Sequence, residues 1–169
     1  MKSTLLGFLV ALAGIQANAR SVIPSLQGNL TNINIDQGSD LAKRDIASGN
    51  IKLDFLKSTV TLTLQPAMPS CPQGALCSQM MPSPIEVTLP LLSAKNDACG
   101  SAIYTAKEDM RPVEGVFREV VVKDNKANKC LTEVALPPVE ITYTISGFNR
   151  LTGQSFRYIN ELIAEPLHP

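Results

Sequence analysis

Three segments in which apolar and polar residues alternate constrain the fold of this chain most strongly. Apolar side chains occupy every second position in 60–64, 85–91 and 139–145, and most of the intervening positions are Thr or Glu. Successive side chains of a β-strand point to opposite faces, so this period predicts three strands that each bury one face. Val and Ile are frequent in all three segments, as is typical of strands.

Four shorter segments have a weaker strand pattern: Ile51–Leu56, Ala102–Ala106, Phe117–Val122 and Phe156–Ile163. Turn-forming pairs such as Asn96-Asp97 and Thr152-Gly153 separate the segments, and no segment has a sustained apolar stripe of helical period. About seven strands joined by short turns predict an all-β fold, an antiparallel β-sandwich or barrel. Pro90 predicts that its strand lies at an edge or ends there.

The first nineteen residues have the pattern of a signal peptide. Lys2 precedes an apolar run from Leu5 to Ile15, and Ala17-Asn18-Ala19 is a small-x-small cleavage site. The run is shorter than the roughly 20 residues that a transmembrane helix needs. We therefore expect cleavage before Arg20, a mature chain without a membrane span, and a secreted or periplasmic location.

The rest of the chain divides by composition at residue 50. Residues 20–50 are polar, and we expect them to be weakly structured. Within them, Leu30, Ile33 and Ile35 predict a weak edge strand, and residues 36–48 predict a short helix. Residues 51–169 form the predicted β domain, which is long enough to bury a core.

The four cysteines predict two disulfides, because an even number of cysteines in an exported protein is typical of disulfide-stapled domains. Three pairings are possible, and we favour Cys71–Cys77 with Cys99–Cys130. The first pair encloses a short turn-prone segment that folds back easily. Structural zinc is the competing interpretation, but the cysteine spacing contains no C-x₂₋₄-C knuckle.

The segment between Pro66 and Pro84 is the one long irregular connection, and long loops in compact domains are usually functional or disordered. The predicted Cys71–Cys77 bridge favours order. We therefore predict an interaction loop here, made of Pro72, Gln73, Gly74, Ala75 and Leu76, with Arg111 as a further contact residue. Such a rigid loop is also what an inhibitor of an extracellular protease would present.

Candidates for catalysis and metal binding are weak. The single histidine, His168, lies beside the chain terminus, where chains are normally frayed, and no nucleophile motif accompanies it. Glu114 and Glu119 belong to a mixed-charge neighbourhood that a small hydrolase could use, although such clusters are usually solvated surface. Met68, Met80 and Met81 are thioethers of the kind that bind Cu(I), but they more often cap a core. We predict no bound cofactor or metal.

The charge balance narrows the class of partner. The fifteen Lys and Arg residues equal the fifteen Asp and Glu residues, which leaves no basic surplus for nucleic acid. We therefore expect a non-enzymatic exported binding domain that recognises a protein or a cell-envelope component. The alternatives are the protease inhibitor using residues 71–77 and the small hydrolase using Glu114 and Glu119.

Overall fold

A computed structural model describes residues 24–36, 41, 44–68, 82–111, 115–130 and 135–169 of the chain. Within these residues the fold is all-β, with eight strands: β1 (Ser25–Asn34), β2 (Ile46–Asp54), β3 (Thr59–Pro66), β4 (Ile85–Asn96), β5 (Ala102–Arg111), β6 (Val116–Asp124), β7 (Val139–Asn149) and β8 (Gln154–Ala164). Each strand pairs antiparallel with the next, and β1 pairs with β8, so that the sheet closes into a barrel.

The all-β antiparallel fold predicted from the alternating residues is confirmed. Six of the seven predicted strand segments lie within the strands β3 to β8, and the seventh, Ile51–Leu56, overlaps β2, which ends at Asp54. The weak strand predicted around Leu30 and Ile33 is β1, the eighth strand, which closes the barrel. The inward positions keep the period of two: Val60, Leu62 and Leu64 of β3 are fully buried.

Strand β4 changes partner half-way along its length. Residues 85–90 pair with β3, and the pairing with β5 begins only at Leu91, where the register shifts. Pro90 lies at this point; it has no amide hydrogen to donate, as suits a place where one ladder ends. The strand therefore does not end at Pro90 but continues to Asn96. The strand β1 likewise leaves β2 after Asn29 and pairs with β8 from Leu30.

The interior of the barrel is packed with aliphatic side chains. Fully buried members come from most of the strands, and the largest are Ile51, Leu53, Leu62, Leu64, Leu89, Ile141, Leu162, Val60, Val120, Val122 and Val139. With no Trp and few other aromatic residues in the chain, branched aliphatic residues fill the interior, as expected for an eight-stranded barrel whose lumen is just wide enough for its own side chains.

One end of the barrel is held by a disulfide and by the chain terminus; we call residues 97–101, 125–130 and 165–169 the stapled end. The predicted Cys99–Cys130 bridge is confirmed, with a Cα–Cα distance of 5.2 Å. The backbones of Gln27 and His168 exchange two hydrogen bonds of 2.8 and 2.9 Å. The terminus is therefore pinned to β1 through the His168 backbone, although the His168 side chain is exposed.

The structure differs from two expectations for residues 20–50: the boundary at residue 50 and the helix over 36–48. Ser25–Asn34 and the first part of Ile46–Asp54 are barrel strands, so the boundary drawn at residue 50 falls inside β2. The helix expected over 36–48 does not extend to its predicted end, because Ile46, Ala47 and Ser48 belong to β2 and Ile46 and Ser48 pair with β3. The predicted signal peptide, residues 1–19, lies outside the described residues.

Candidate functional site

A cavity of about 740 Å³ opens at the end of the barrel opposite the stapled end; we call this the cavity end. It lies where β4 and β5 diverge. Residues 85–90 of β4 pair with β3, whereas residues 107–111 of β5 pair only with β6. The two halves of the sheet therefore separate towards this end, and the wedge between them is the cavity.

The walls of the cavity combine apolar and polar surface in nearly equal parts. The side chains that surround it come from β4 to β8 and from the connection before β2: Leu41, Ile85, Val87, Met110, Val116, Ile145, Phe148, Leu151 and Phe156, with the polar Glu86, Arg118, Tyr143, Asn149, Arg150 and Tyr158 among them. Leu41 is only 7% exposed, which anchors the β1–β2 connection against the core. A cavity that joins apolar surface with convergent polar groups suits an amphiphilic small molecule.

Arg118 is a charged side chain that the strand period directs into the barrel, as it does Glu108 directly opposite on β5. On β6 the buried Val120 and Val122 and the cavity-lining Val116 share its parity, so all four face inward. Its Nε atom is buried and has no hydrogen-bond partner among the described residues. A buried unsatisfied donor of a charged group is costly, and natural proteins place such groups where a partner can complete them.

Tyr143 lies beside Arg118. It is 2% exposed, on β7, the strand paired with β6. Burial raises the pKa of the Tyr143 hydroxyl, the charge and hydrogen bonding of Arg118 lower it, and the nearby Glu108 carboxylate raises it; the net pKa lies above the ordinary 10.0. The hydroxyl therefore keeps its proton at neutral pH and is available as a hydrogen-bond donor or acceptor.

Glu108 is the acidic group closest in register to Arg118. The two residues are directly opposite on β5 and β6. Their side chains, both of which the structure describes, form no ion pair within 4.0 Å. Arg118 is thus near a carboxylate without being engaged by it.

Apolar side chains surround the mouth of the cavity on the β7–β8 hairpin. Leu151 at its tip is 98% exposed, and Phe148 is 46% exposed. Gly147 allows Phe156 on the paired strand to lie across it, because a Cβ there would come within 2.9 Å of the Phe156 ring. The hairpin therefore presents an apolar surface that is continuous with the cavity wall.

The residues predicted for catalysis do not meet in the cavity. Glu119 has the opposite parity to Arg118, so it lies on the outer face of β6, opposite Lys107 of β5. Glu114 lies outside the described residues. His168 is at the stapled end, and its backbone pairs with Gln27.

The predicted interaction loop is described only in part. Cys71, Cys77 and the segment 72–76 between them lie outside the described residues, as do Met80 and Met81. Arg111 is the last residue of β5, at the cavity end. Met68 is 55% exposed beyond the end of β3. The described residues contain no group of three or more His, Cys, Asp or Glu side chains suited to hold a metal ion.

No protein family, curated protein or solved structure matches this chain in the comparisons made. Among the described residues, none forms a helix of the length and hydrophobicity needed to cross a bilayer.

Sequence reasoning missed the cavity and the role of Arg118 in its wall. The signal for Arg118 is present in the alternation of 116–122, where an arginine occupies a position in phase with three valines. A charge on the apolar face of a strand is either paired or functional. The cavity itself has no local signal, because it depends on where β4 leaves β3 and joins β5.

Proposed function

We propose that this chain is a non-enzymatic binding module that holds a small, largely apolar molecule in the cavity end of its barrel. The single observation that supports this function is the cavity of about 740 Å³, whose wall combines apolar side chains with convergent polar groups. Its volume falls within the roughly 300–1,000 Å³ that is typical of small-molecule sites. Eight-stranded barrels are wide enough to hold one small ligand when their own side chains leave room.

The interior is filled with side chains towards one end and open towards the other, which supports entry of a ligand at the open end. Towards the stapled end the lumen is filled by side chains such as Leu53, Leu89 and Val122, which are fully buried. Towards the cavity end, β4 and β5 separate, and Phe148 and Leu151 extend the apolar surface outward. Phe148 and Leu151 therefore give an apolar molecule a contact surface next to the cavity.

We propose that the module works in an oxidising compartment, outside the cytoplasm. The Cys99–Cys130 disulfide supports this location, since such bonds persist in secreted and periplasmic proteins and are rare in reducing compartments. The sequence predicts a protein or a cell-envelope component as the binding partner, whereas the cavity favours a small molecule. The protease-inhibitor and hydrolase alternatives stay predictions, because residues 72–76 and Glu114 lie outside the described residues.

Binding of the neutral dye Nile red to the purified protein tests this function. We expect saturable enhancement of its fluorescence with one dye per chain. Ile145→Phe places a ring into the cavity, because Ile145 lines its wall. We expect this variant to bind the dye about tenfold more weakly, a loss of about 1.4 kcal/mol, which is equivalent to roughly two buried methylene groups.

Ile159→Phe is the matched control. Ile159 lies on β8, opposite Thr144 of β7, and its side chain is 38% exposed on the outer face of the barrel. The same added ring there leaves the cavity as it is, so dye affinity stays at the wild-type value. Equal loss in both variants, or no saturable dye binding by the wild type, contradicts the proposed function.

A further inference from the structure

We propose that the ligand of this cavity carries a single carboxylate, which Arg118 binds with the help of the Tyr143 hydroxyl. This inference rests on the proposed function and names the chemical class of its ligand: an amphiphilic monocarboxylic acid with its apolar part along the cavity wall. The buried Nε of Arg118, without a partner among the described residues, is the observation that leads to it.

The geometry suits a planar acid group. A guanidinium offers its N–H donors in a fixed fork that matches the two oxygens of a carboxylate, and such paired bonds are stronger than neutral ones. Arg118 extends from an inward position of β6 into the cavity, and its neighbour Tyr143 can donate one more hydrogen bond. Apolar walls made by Val116 and Ile145 adjoin the guanidinium, so water competes weakly for its donors.

The charge around the site favours one negative charge over several. Arg118 is the cation on the inward face of the wall, whereas the second arginine of the lining, Arg150, lies on the β7–β8 turn at the mouth. Glu108, opposite Arg118, adds negative potential at the same place. A dianion such as a phosphate monoester would be repelled by the Glu108 carboxylate, and the single Arg118 guanidinium could neutralise only one of its two charges. A monoanion therefore fits best.

A structural role for Arg118 is the competing explanation. In that case its charge serves only to balance Glu108 across the β5–β6 ladder. The two explanations differ in what they predict for Glu108→Gln. If Arg118 binds a ligand carboxylate, removal of the competing acid strengthens that binding. If Arg118 serves Glu108 alone, the variant leaves ligand preference unchanged.

The experiment compares decanoate with decanol, which have the same chain and differ in the charged group. Each competes for Nile red bound to the same protein, and the ratio of their dissociation constants is the readout, so each variant has its own internal reference. We expect wild-type protein to bind decanoate at least about tenfold more tightly than decanol. The ratio falls to about one in Arg118→Gln, falls partly in Arg118→Lys, and rises in Glu108→Gln.

Failure of the inference and failure of the proposed function give different results. If decanol and decanoate bind the wild type equally well, the cavity binds apolar molecules but the carboxylate assignment is wrong. If Arg118→Gln keeps the wild-type preference, it is also wrong. If the dye binds saturably but neither compound displaces it, the carboxylate assignment is again wrong and the proposed function stands; if the wild type does not bind the dye saturably, the proposed function fails as well. Should Arg118→Gln not fold, the opposite shifts expected for Arg118→Lys and Glu108→Gln decide the question.

Discussion

The two ends of the barrel differ in whether their buried polar side-chain atoms have hydrogen-bond partners. At the stapled end, the fully buried Ser101 donates to Asn125 at 2.9 Å and accepts from Asn128 at 2.7 Å. At the cavity end, the buried Nε of Arg118 has no partner among the described residues. A satisfied network stabilises and specifies a structure, whereas an unsatisfied buried donor of a charged group costs stability.

The same contrast is present in the backbone. The turn at 97–101 is tied by the Asp97 carboxylate, which accepts hydrogen bonds of 2.9 Å from the Cys99 and Ser101 amides. Gly100 has a φ of +91°, a conformation that side chains other than glycine rarely adopt. At the cavity end, by contrast, the β4–β5 ladder is not continued beyond Leu91 and Ala106. One end is thus tied by side-chain and backbone hydrogen bonds, whereas at the other the sheet opens around a cavity.

The largest effect is expected from truncation of a leucine at the stapled end. Leu167 is 5% exposed, in the terminal segment held against β1 by the Gln27–His168 hydrogen bonds. We expect Leu167→Ala to lower the free energy of unfolding by about 2–5 kcal/mol, since it removes buried apolar contact and leaves a cavity. Denaturant unfolding measures this change.

Leu151→Ala is the matched control at the other end. Leu151 is 98% exposed, so the same truncation should change the free energy of unfolding by no more than about 0.5 kcal/mol. Similar losses in the two variants would mean that the two ends do not differ in how much they contribute to stability. Nile red affinity of folded Leu167→Ala should equal that of the wild type.

A somewhat smaller loss is expected when the disulfide is removed. Cys99 and Cys130 close a loop across 31 residues of sequence. By the chain-entropy account, the double variant Cys99→Ser with Cys130→Ser loses about 2–4 kcal/mol of stability. The comparison is made by thermal unfolding of both proteins under non-reducing conditions. Loss of dye binding at a temperature where the variant is still folded would show that the two ends are coupled.

The residues that could be predicted from the sequence are those whose pattern is local. The alternation in 60–64, 85–91 and 139–145 predicted their strands because the period of two needs no knowledge of partners. Closure could not be predicted in the same way, since it depends on pairing between β1 and β8, more than a hundred residues apart in the chain. This is why sandwich and barrel stayed open as alternatives.

The candidate site could be predicted even less well, because it depends on contacts between strands that are distant in the sequence. The position of Arg118 among inward-facing valines can be read from the sequence. That its Nε atom has no hydrogen-bond partner among the described residues cannot, because this depends on side chains from other strands. The C-terminal end of the helix predicted over 36–48 was wrong for a related reason. Pairing with β3 extends β2 back to Ile46, and this long-range contact outweighs a weak local preference.

The smallest effect is expected from the charge of Asp97 at the stapled end. Burial acts to raise the pKa of Asp97, but the amides of Ser101 and Cys99 and the charge of Lys123, 3.6 Å away, lower it, and the net pKa lies below the ordinary 3.8. A carboxyl with a lowered pKa in the folded protein stabilises it at pH values above 3.8, and this contribution is lost as the pH falls through the folded pKa.

Asp97→Asn keeps an oxygen acceptor but loses the charge, so its melting temperature should be roughly 1–3 °C below the wild type at neutral pH. The difference should shrink towards zero in acid. Asp54→Asn is the matched control. Asp54 accepts one backbone hydrogen bond, from Lys57 in the β2–β3 turn, whereas Asp97 accepts two in the β4–β5 turn. A pH dependence as large for Asp54→Asn as for Asp97→Asn would show that the tied turn at 97–101 contributes nothing particular to the stapled end.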